Sequence, residues 1–280
     1  MNLIQQLVVL IEENLNSPLS AKRIAERSGY SVRWLYNLFQ EKTGISVAQY
    51  IRRRKLTLGA VMMRHTSRQV TDISLMYNFS SPQAFSRSFR QQFKMSPVQY
   101  RNSDTWDMQY AQPVLYSTTR CTEFRLFGIA AGNSSPVPRH KKFVQLGMDY
   151  IHTRYKGRFI YNQKLFQSVK SIFESVDGMS DFMISGEMVP SEFYDSELIY
   201  TFEKTDKYSR PEMFLPDGFY ASQKFRGTYK EIFEFQIYDA MNALYNNKCI
   251  LKRGPRFTFF HKTDNKDIMN VQYLIPCVKP

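Results

Sequence analysis

The sequence predicts two domains of unlike class: an all-α N-terminal domain over residues 1–106, made of two helix-turn-helix units joined by a linker helix, and an α+β domain over residues 111–280. Three observations carry this. First, the stretch from Ile24 to Arg52 returns, altered, from Ile73 to Arg101, with endings Ile45-Ser46-Val47-Ala48-Gln49-Tyr50 and Met95-Ser96-Pro97-Val98-Gln99-Tyr100. The copies lie about 50 residues apart, with a one-residue offset read inside the second helix. Second, of the net charge of +13, residues 1–110 carry +8 and the remaining 170 carry +5. Third, from Gln112-Pro113 onward the chain changes to aromatic and β-branched runs punctuated by Gly and Pro. A chain of 280 residues exceeds the usual size of one domain.

Leu3, Leu7, Leu10 and Ile11 recur at helical spacing, which predicts a first helix ending near Asn14 to Ser17, before Pro18. Ser20 is placed to cap the next helix, in which Ile24 and Ala25 face inward. Gly29 supplies the bend, and a second helix follows from about Ser31 with Leu35, Leu38 and Phe39 as its apolar stripe. A long helix over roughly Val47 to Arg64 joins the copies. The second unit runs from about Thr71 through a turn at Asn78 to Ser80, and Ser81-Pro82 opens its second helix as cap and first position. Phe85, Phe89 and Phe93 form the matching stripe.

Away from these stripes lie Arg33, Tyr36, Asn37 and Gln40 in the first copy and Gln83, Ser86, Arg87 and Arg90 in the second. Spacings of i, i+3, i+4 and i+7 put each set on one helix face, where long polar side chains can reach base edges in a major groove. One such face alone is what any solvated helix shows; its recurrence points to a reading surface. The run Arg52-Arg53-Arg54-Lys55 fans around its helix, so only some of its cations can face one partner, the others being solvated or paired with acids such as Glu41 or Asp72. Arg52, Arg54, Arg68 and Arg90 are the candidate phosphate contacts. A basic domain of this size suits a polyanion, because neutralising phosphates releases condensed counterions.

The segments IAERSGYS, LYNLFQEKTGISVAQYIRRRKL, ISLMYNFSSPQAFSRSFRQQF and MSPVQYR resemble the DNA-binding domain of the AraC/XylS family of bacterial regulators, over nearly all of residues 3–102. The resemblance implies a rigid linker helix presenting two recognition helices to successive major-groove segments on one side of double-stranded promoter DNA. It also implies a monomer on DNA, cytoplasmic and associated with the nucleoid, that activates transcription by contacting RNA polymerase. Rob-type members carry a Trp, a Gln and an Arg where this chain has Arg33, Tyr36 and Asn37, so their target sequence does not transfer. Gln83, Ser86 and Arg87 lie closer to the family pattern.

In the C-terminal part, strands are expected at Glu123 to Ala130, Phe182 to Met188, Leu198 to Phe202, Gly218 to Phe225, Phe257 to His261 and Val271 to Ile275. Helices are expected at Phe143 to Arg154, Leu165 to Ser175 and Tyr229 to Tyr245. Mixed strands and helices indicate helices lying on a sheet. Leu215 to Ala221, Phe225-Arg226-Gly227, Gly254-Pro255-Arg256-Phe257 and Leu274-Ile275-Pro276 resemble the GyrI-like domain, a module of two strand-helix-strand-strand halves around a ligand cleft. That resemblance implies a small-molecule effector, held as a hydrophobic cation between aromatic rings near a buried carboxylate. Tyr220, Phe259 and Tyr273 are candidates to line such a cleft. The family's acids give way here to Thr258 and Gln272, leaving Glu187, Glu192 or Glu203 to supply the charge. If it is not a ligand site, the domain serves as an interaction surface.

Cys121, Cys249 and Cys277 are odd in number and widely spaced, and His65, His140, His152 and His261 are scattered, which predicts neither a disulfide framework nor a metal site. The run Leu3 to Ile11 is broken by Gln5 and Gln6 and followed by Glu12-Glu13, too short and polar for a signal peptide or membrane span. The chain holds no glycine-rich phosphate loop, no HExxH and no nucleophile elbow. The expectation is a regulator that is not an enzyme and has no cofactor. The alternative is a small-molecule binding or sequestering protein with weak hydrolase activity.

Overall fold

A computed structural model describes residues 3–16, 25, 29–115, 122–129, 141–146, 154–155, 158–159, 181–191, 196–205, 215–265 and 267–279. The chain divides into two compact units, the first comprising Met1–Ser103, Tyr110–Ser117 and Met148–Tyr161, the second the remainder.

In the first unit, α1 (Leu3–Glu12) buries Ile4, Leu7, Val8 and Ile11. Helix α2 (Val32–Thr43) is capped by Ser31 and α3 (Val47–His65) by Ser46, followed by α4 (Val70–Met76), α5 (Pro82–Phe93) and α6 (Pro97–Asn102). One core joins α1, α2 and the start of α3 through Leu7, Ile11, Leu35, Phe39, Val47, Tyr50 and Ile51. Around α5, the rings Phe85, Phe89 and Phe93 run in contact with one another, with Phe79 against Phe85 and Tyr100 against Phe89 and Phe93. Helix α3 packs on α2, α4, α5 and α6. Its Gly59 faces Phe85, where an added Cβ would stand 3.1 Å from the ring. Ser20, the expected cap, and Ile24 lie outside the described residues.

The segment after α6 is held to this unit by α3. Arg54 Nη1 donates to Gln112 O at 2.7 Å, Gln112 N donates to Thr57 Oγ1 at 2.8 Å, and Gln92 Nε2 donates to Tyr110 O at 3.0 Å.

The second unit is built on an antiparallel sheet. Its strands are β1 (Thr105–Asp107), β2 (Glu123–Ile129), β3 (Lys141–Leu146), β6 (Asp181–Pro190), β7 (Ser196–Thr205), β8 (Gly218–Gly227), β9 (Ile250–Lys252), β10 (Arg256–Lys262) and β11 (Met269–Cys277). Among the described residues they pair in the order β2-β8-β11-β10-β6-β7-β3, with β9 joining β11 through Leu251 and Cys277 and β1 pairing β9. Two short strands that fall in the first unit, β4 (Arg154–Tyr155) and β5 (Arg158–Phe159), pair with each other apart from this sheet.

The expected helix from Tyr229 forms as α7 (Tyr229–Glu234), a π-helical stretch at Phe235–Asp239 and α8 (Ala240–Asn246), opened by a Thr228–Glu231 capping box. It covers one sheet face: Phe235 stacks on Phe225 at 4.8 Å, Gln236 Nε2 donates to Thr258 Oγ1 at 2.8 Å, and Gln223 Nε2 donates to Ala240 O at 3.2 Å.

One expected helix is corrected. Residues 143–146 belong to β3, whose backbone pairs with β7 from Lys141↔Thr201 to Leu146↔Ser196. The short run Lys-Lys-Phe-Val-Gln-Leu suits either period, and pairing with β7 decides it. The expected helix Leu165 to Ser175 lies outside the described residues. No described helix is long and apolar enough to cross a membrane, and no described cluster of His, Cys, Asp and Glu could hold a metal.

Candidate nucleic-acid interface

The two repeat copies superimpose in role, position by position, at an offset of 50. Ser31 Oγ accepts from Trp34 N at 3.3 Å and Ser81 Oγ accepts from Ala84 N at 3.1 Å. Leu35 and Phe85 are buried, as are Phe39 and Phe89. The helices end at Gly44 with φ 75° and at Lys94 with φ 63°, both left-handed. Ser46 and Ser96 then cap the following helices, and Tyr50 and Tyr100 pack on Phe39 and Phe89 at 5.7 and 5.3 Å.

Before these caps the offset is 49, since the left-handed turn residues are Gly29 and Asn78. The extra residue therefore sits in the turn, not inside the second helix as the repeat had suggested. A turn absorbs one residue locally, whereas inside a helix it would rotate the face beyond it by about 100°.

Opposite the buried stripes, Arg33, Asn37 and Gln40 are exposed on α2, and Gln83, Arg87 and Arg90 on α5. These are matched positions, so the same face is presented twice. Tyr36 and Ser86 also correspond, and both are half-buried; Tyr36 packs against the core shared with α1.

Arg52 and Arg53 are exposed on α3, and Arg68 is half-buried just beyond it. Arg54 is not available for phosphate, which corrects the expectation. It is 7% exposed, and its Nε and Nη2 donate to the two carboxylate oxygens of Glu12 at 2.8 Å each. Burial by itself would lower its pKa, but the Glu12 charge and hydrogen bonds raise it above the ordinary arginine value. Tyr50 completes the group, donating to Glu12 Oε1 at 2.8 Å. Burial also lowers the Lys55 pKa, while Glu41 pairs with Lys42 at 2.9 Å on the surface.

Sequence reasoning missed two features. Tyr30 and Trp34 stack at 4.4 Å on the outside of α2, beside Arg33 and Asn37. A helical projection of residues 31–40 puts Trp34 at the edge of the polar face, next to Asn37, and that was the available signal. Arg64 is buried; its Nη1 donates to Tyr100 O at 3.0 Å and to Ser103 O, and its guanidinium lies 5.8 Å from the Tyr100 ring centroid, tying α3 to α6.

In the second unit, antiparallel register separates the four ligand candidates. Phe259 lies opposite Met183 and Gln272, and Tyr220 opposite Pro276, on the face of the cluster formed by Ile129, Met183, Leu215, Tyr220, Phe257, Phe259 and Leu274. Half-buried Glu187 shares the side of Met183 on β6. Tyr273 pairs with Thr258 and meets Phe235, so it faces the helix; lining one cleft with Phe259 is corrected by the two-residue period of the strand. Burial pushes the Tyr220 hydroxyl up to about 12, and it donates to Pro216 O at 2.8 Å. Thr258 is engaged by Gln236, and Gln272 Nε2 donates to Ser222 Oγ at 2.9 Å. Glu203, opposite Met183, has a buried Oε2 without a hydrogen-bond partner among the described residues. Glu192 lies outside them.

Two serine-capped helices with matched polar faces, the second preceded by a turn and the short helix α4, define a class of DNA-reading protein, and comparison with known proteins agrees. Residues 24–103 match a family described as a helix-turn-helix domain. The chain is 39% identical to transcriptional regulator Rob of Salmonella typhimurium over 113 residues, covering 40% of this chain and 39% of Rob. It is 40% identical to the regulatory protein SoxS of Escherichia coli over 100 residues, covering 36% of this chain and 94% of SoxS. The solved structure of an AraC-type transcriptional regulator from Chromobacterium violaceum is 32% identical, with a TM-score of 0.34, covering 39% of this chain and 93% of that one. The chain belongs to the AraC family of helix-turn-helix transcription regulators. It spans about two fifths of the length of Rob.

Proposed function

We propose that the protein is a sequence-specific DNA-binding regulator that places α2 and α5 in adjacent major-groove segments of one promoter and activates transcription there through RNA polymerase. Arg33, Tyr36, Asn37 and Gln40 read bases from the first unit, and Gln83, Ser86 and Arg87 from the second. Arg52, Arg68 and Arg90 neutralise phosphates. The observation that carries this reading is the duplicated exposed face, Arg33, Asn37 and Gln40 on α2 against Gln83, Arg87 and Arg90 on α5. Helix α3, 19 residues and so about 28 Å long, acts as the spacer between them. That is near the ~34 Å of one DNA turn, which lets a monomer reach both segments. Rob and SoxS, by name regulators, share the matched stretch.

The test is recovery of genomic DNA fragments by the purified protein at near-physiological salt. Two short sequence blocks about one turn apart are expected. Diffuse recovery without a motif would sink the reading.

A second reading concerns the sheet unit, as a GyrI-like effector module. Glu203 favours it, because a buried carboxylate oxygen with no partner among the described residues is costly unless it meets a cation. Hydrophobic cations such as tetraphenylphosphonium should raise the thermal midpoint of the wild type and not of Glu203→Gln. An equal rise in both removes this reading and leaves an interaction surface.

A further inference from the structure

Tyr30 and Trp34 are 45% and 42% exposed, yet their rings stack at 4.4 Å with an interplanar angle of 22°. Neither ring is consumed by a core, so the fold does not account for them. Trp34 stands in the first turn of α2, one residue from Arg33 and three from Asn37, on the same outward side. From Gly29 to Gln40 the chain itself holds no carboxylate, and its one charged group there is Arg33. The matched position in the second unit is Ala84.

We propose that Trp34, steadied by Tyr30, is a specificity-determining residue that packs on thymine methyl groups in the block read by the first unit. This rests on the reading of α2 as a DNA-inserted helix. The N-terminal part of such a helix approaches the base edges. Along those edges the thymine methyl is the apolar group that an indole can cover, and the wrong base offers polar atoms to the ring instead. Stacking on Tyr30 orders the indole before binding, so less freedom is lost on contact. The two units then read differently: the first through an aromatic surface flanked by Arg33 and Asn37, the second through Gln83, Arg87 and Arg90 without a large ring. An uncharged ring beside cations also fits a groove wall better than a purely electrostatic backbone contact, which arginine and lysine serve.

The experiment uses the full chain and the duplex recovered from genomic fragments, with each thymidine of the first block replaced in turn by deoxyuridine, which deletes only the methyl. Wild type should lose about fourfold in affinity at one or two positions, the worth of one buried methyl. Trp34→Ala should bind the parent duplex at least fourfold more weakly and be indifferent to those same replacements, and Trp34→Phe should keep the sensitivity. Because Trp34 is exposed, its thermal midpoint should stay at the wild-type value. Indifference of the wild type to every methyl deletion, a first block without thymine, or undiminished sensitivity in Trp34→Ala overturns the proposal. Failure of the wild type to select any motif defeats the DNA reading itself, and that outcome is seen before Trp34 is changed.

Discussion

Arg54 grips both carboxylate oxygens of Glu12 across 42 residues of chain, with each side chain 9% exposed. The same guanidinium holds Gln112 O, so one buried cation joins α1, α3 and the segment after α6. A cation read from its sequence neighbours as a surface group is thus a tie within the core.

Removing one partner of that tie leaves the other charge buried. Arg54→Ala should cost about 3–5 kcal/mol of unfolding free energy. Exposed Arg52→Ala should change it by less than about 0.5 kcal/mol. Urea unfolding of the two variants checks the contrast, and equal midpoints would contradict the buried network.

The left-handed position at the end of α5 is filled by Lys94 where α2 uses Gly44. Lys94→Gly should stabilise by about 0.5–1 kcal/mol, since glycine adopts this conformation without Cβ strain. Gly44→Ala should cost about 1 kcal/mol from the backbone alone, because its Cβ would meet nothing within 4 Å. Thermal denaturation of both variants reads the opposite signs.

Arg87→Ala should weaken specific binding by about 1–3 kcal/mol and relax preference at one base position, while largely sparing nonspecific affinity. Arg52→Ala should weaken binding evenly across sequences and lower the salt slope by about one. Fluorescence titration of the selected duplex and a scrambled one, at several salt concentrations, separates the two effects.

Burial pushes the Cys249 and Cys277 thiols up to about 11. Both should resist iodoacetamide at pH 8 in the folded protein and react on unfolding, as mass spectrometry of the two peptides will show. Since the folded pKa is raised, the stability these thiols contribute is complete below about 9, their usual value, and falls as pH climbs toward 11.

The helical half was largely legible because its signals are local. Ser31 and Ser81 open their helices where the sequence places the starts, and Phe85, Phe89 and Phe93 at spacings of four can only share a face. What escaped depends on partners distant in sequence. Glu12 decides the fate of Arg54, β7 decides that 143–146 is a strand, and the helix on the sheet decides which side of Tyr273 is occupied. Trp34 escaped for another reason: an aromatic residue in a helix is assumed to point inward, and this one does not.

Helix α3 makes the distance between the two copies a quantity that changes in steps. Each residue gained or lost within Val47–His65 would swing everything beyond it through about 100° and carry it about 1.5 Å along the axis. A change of seven residues nearly restores the angle, with a drift of about 20°. An insertion or deletion inside α3 would therefore misalign the two faces, whereas the turn at Asn78 to Ser80 holds one residue more than its counterpart after Gly29 and leaves the matched caps in place.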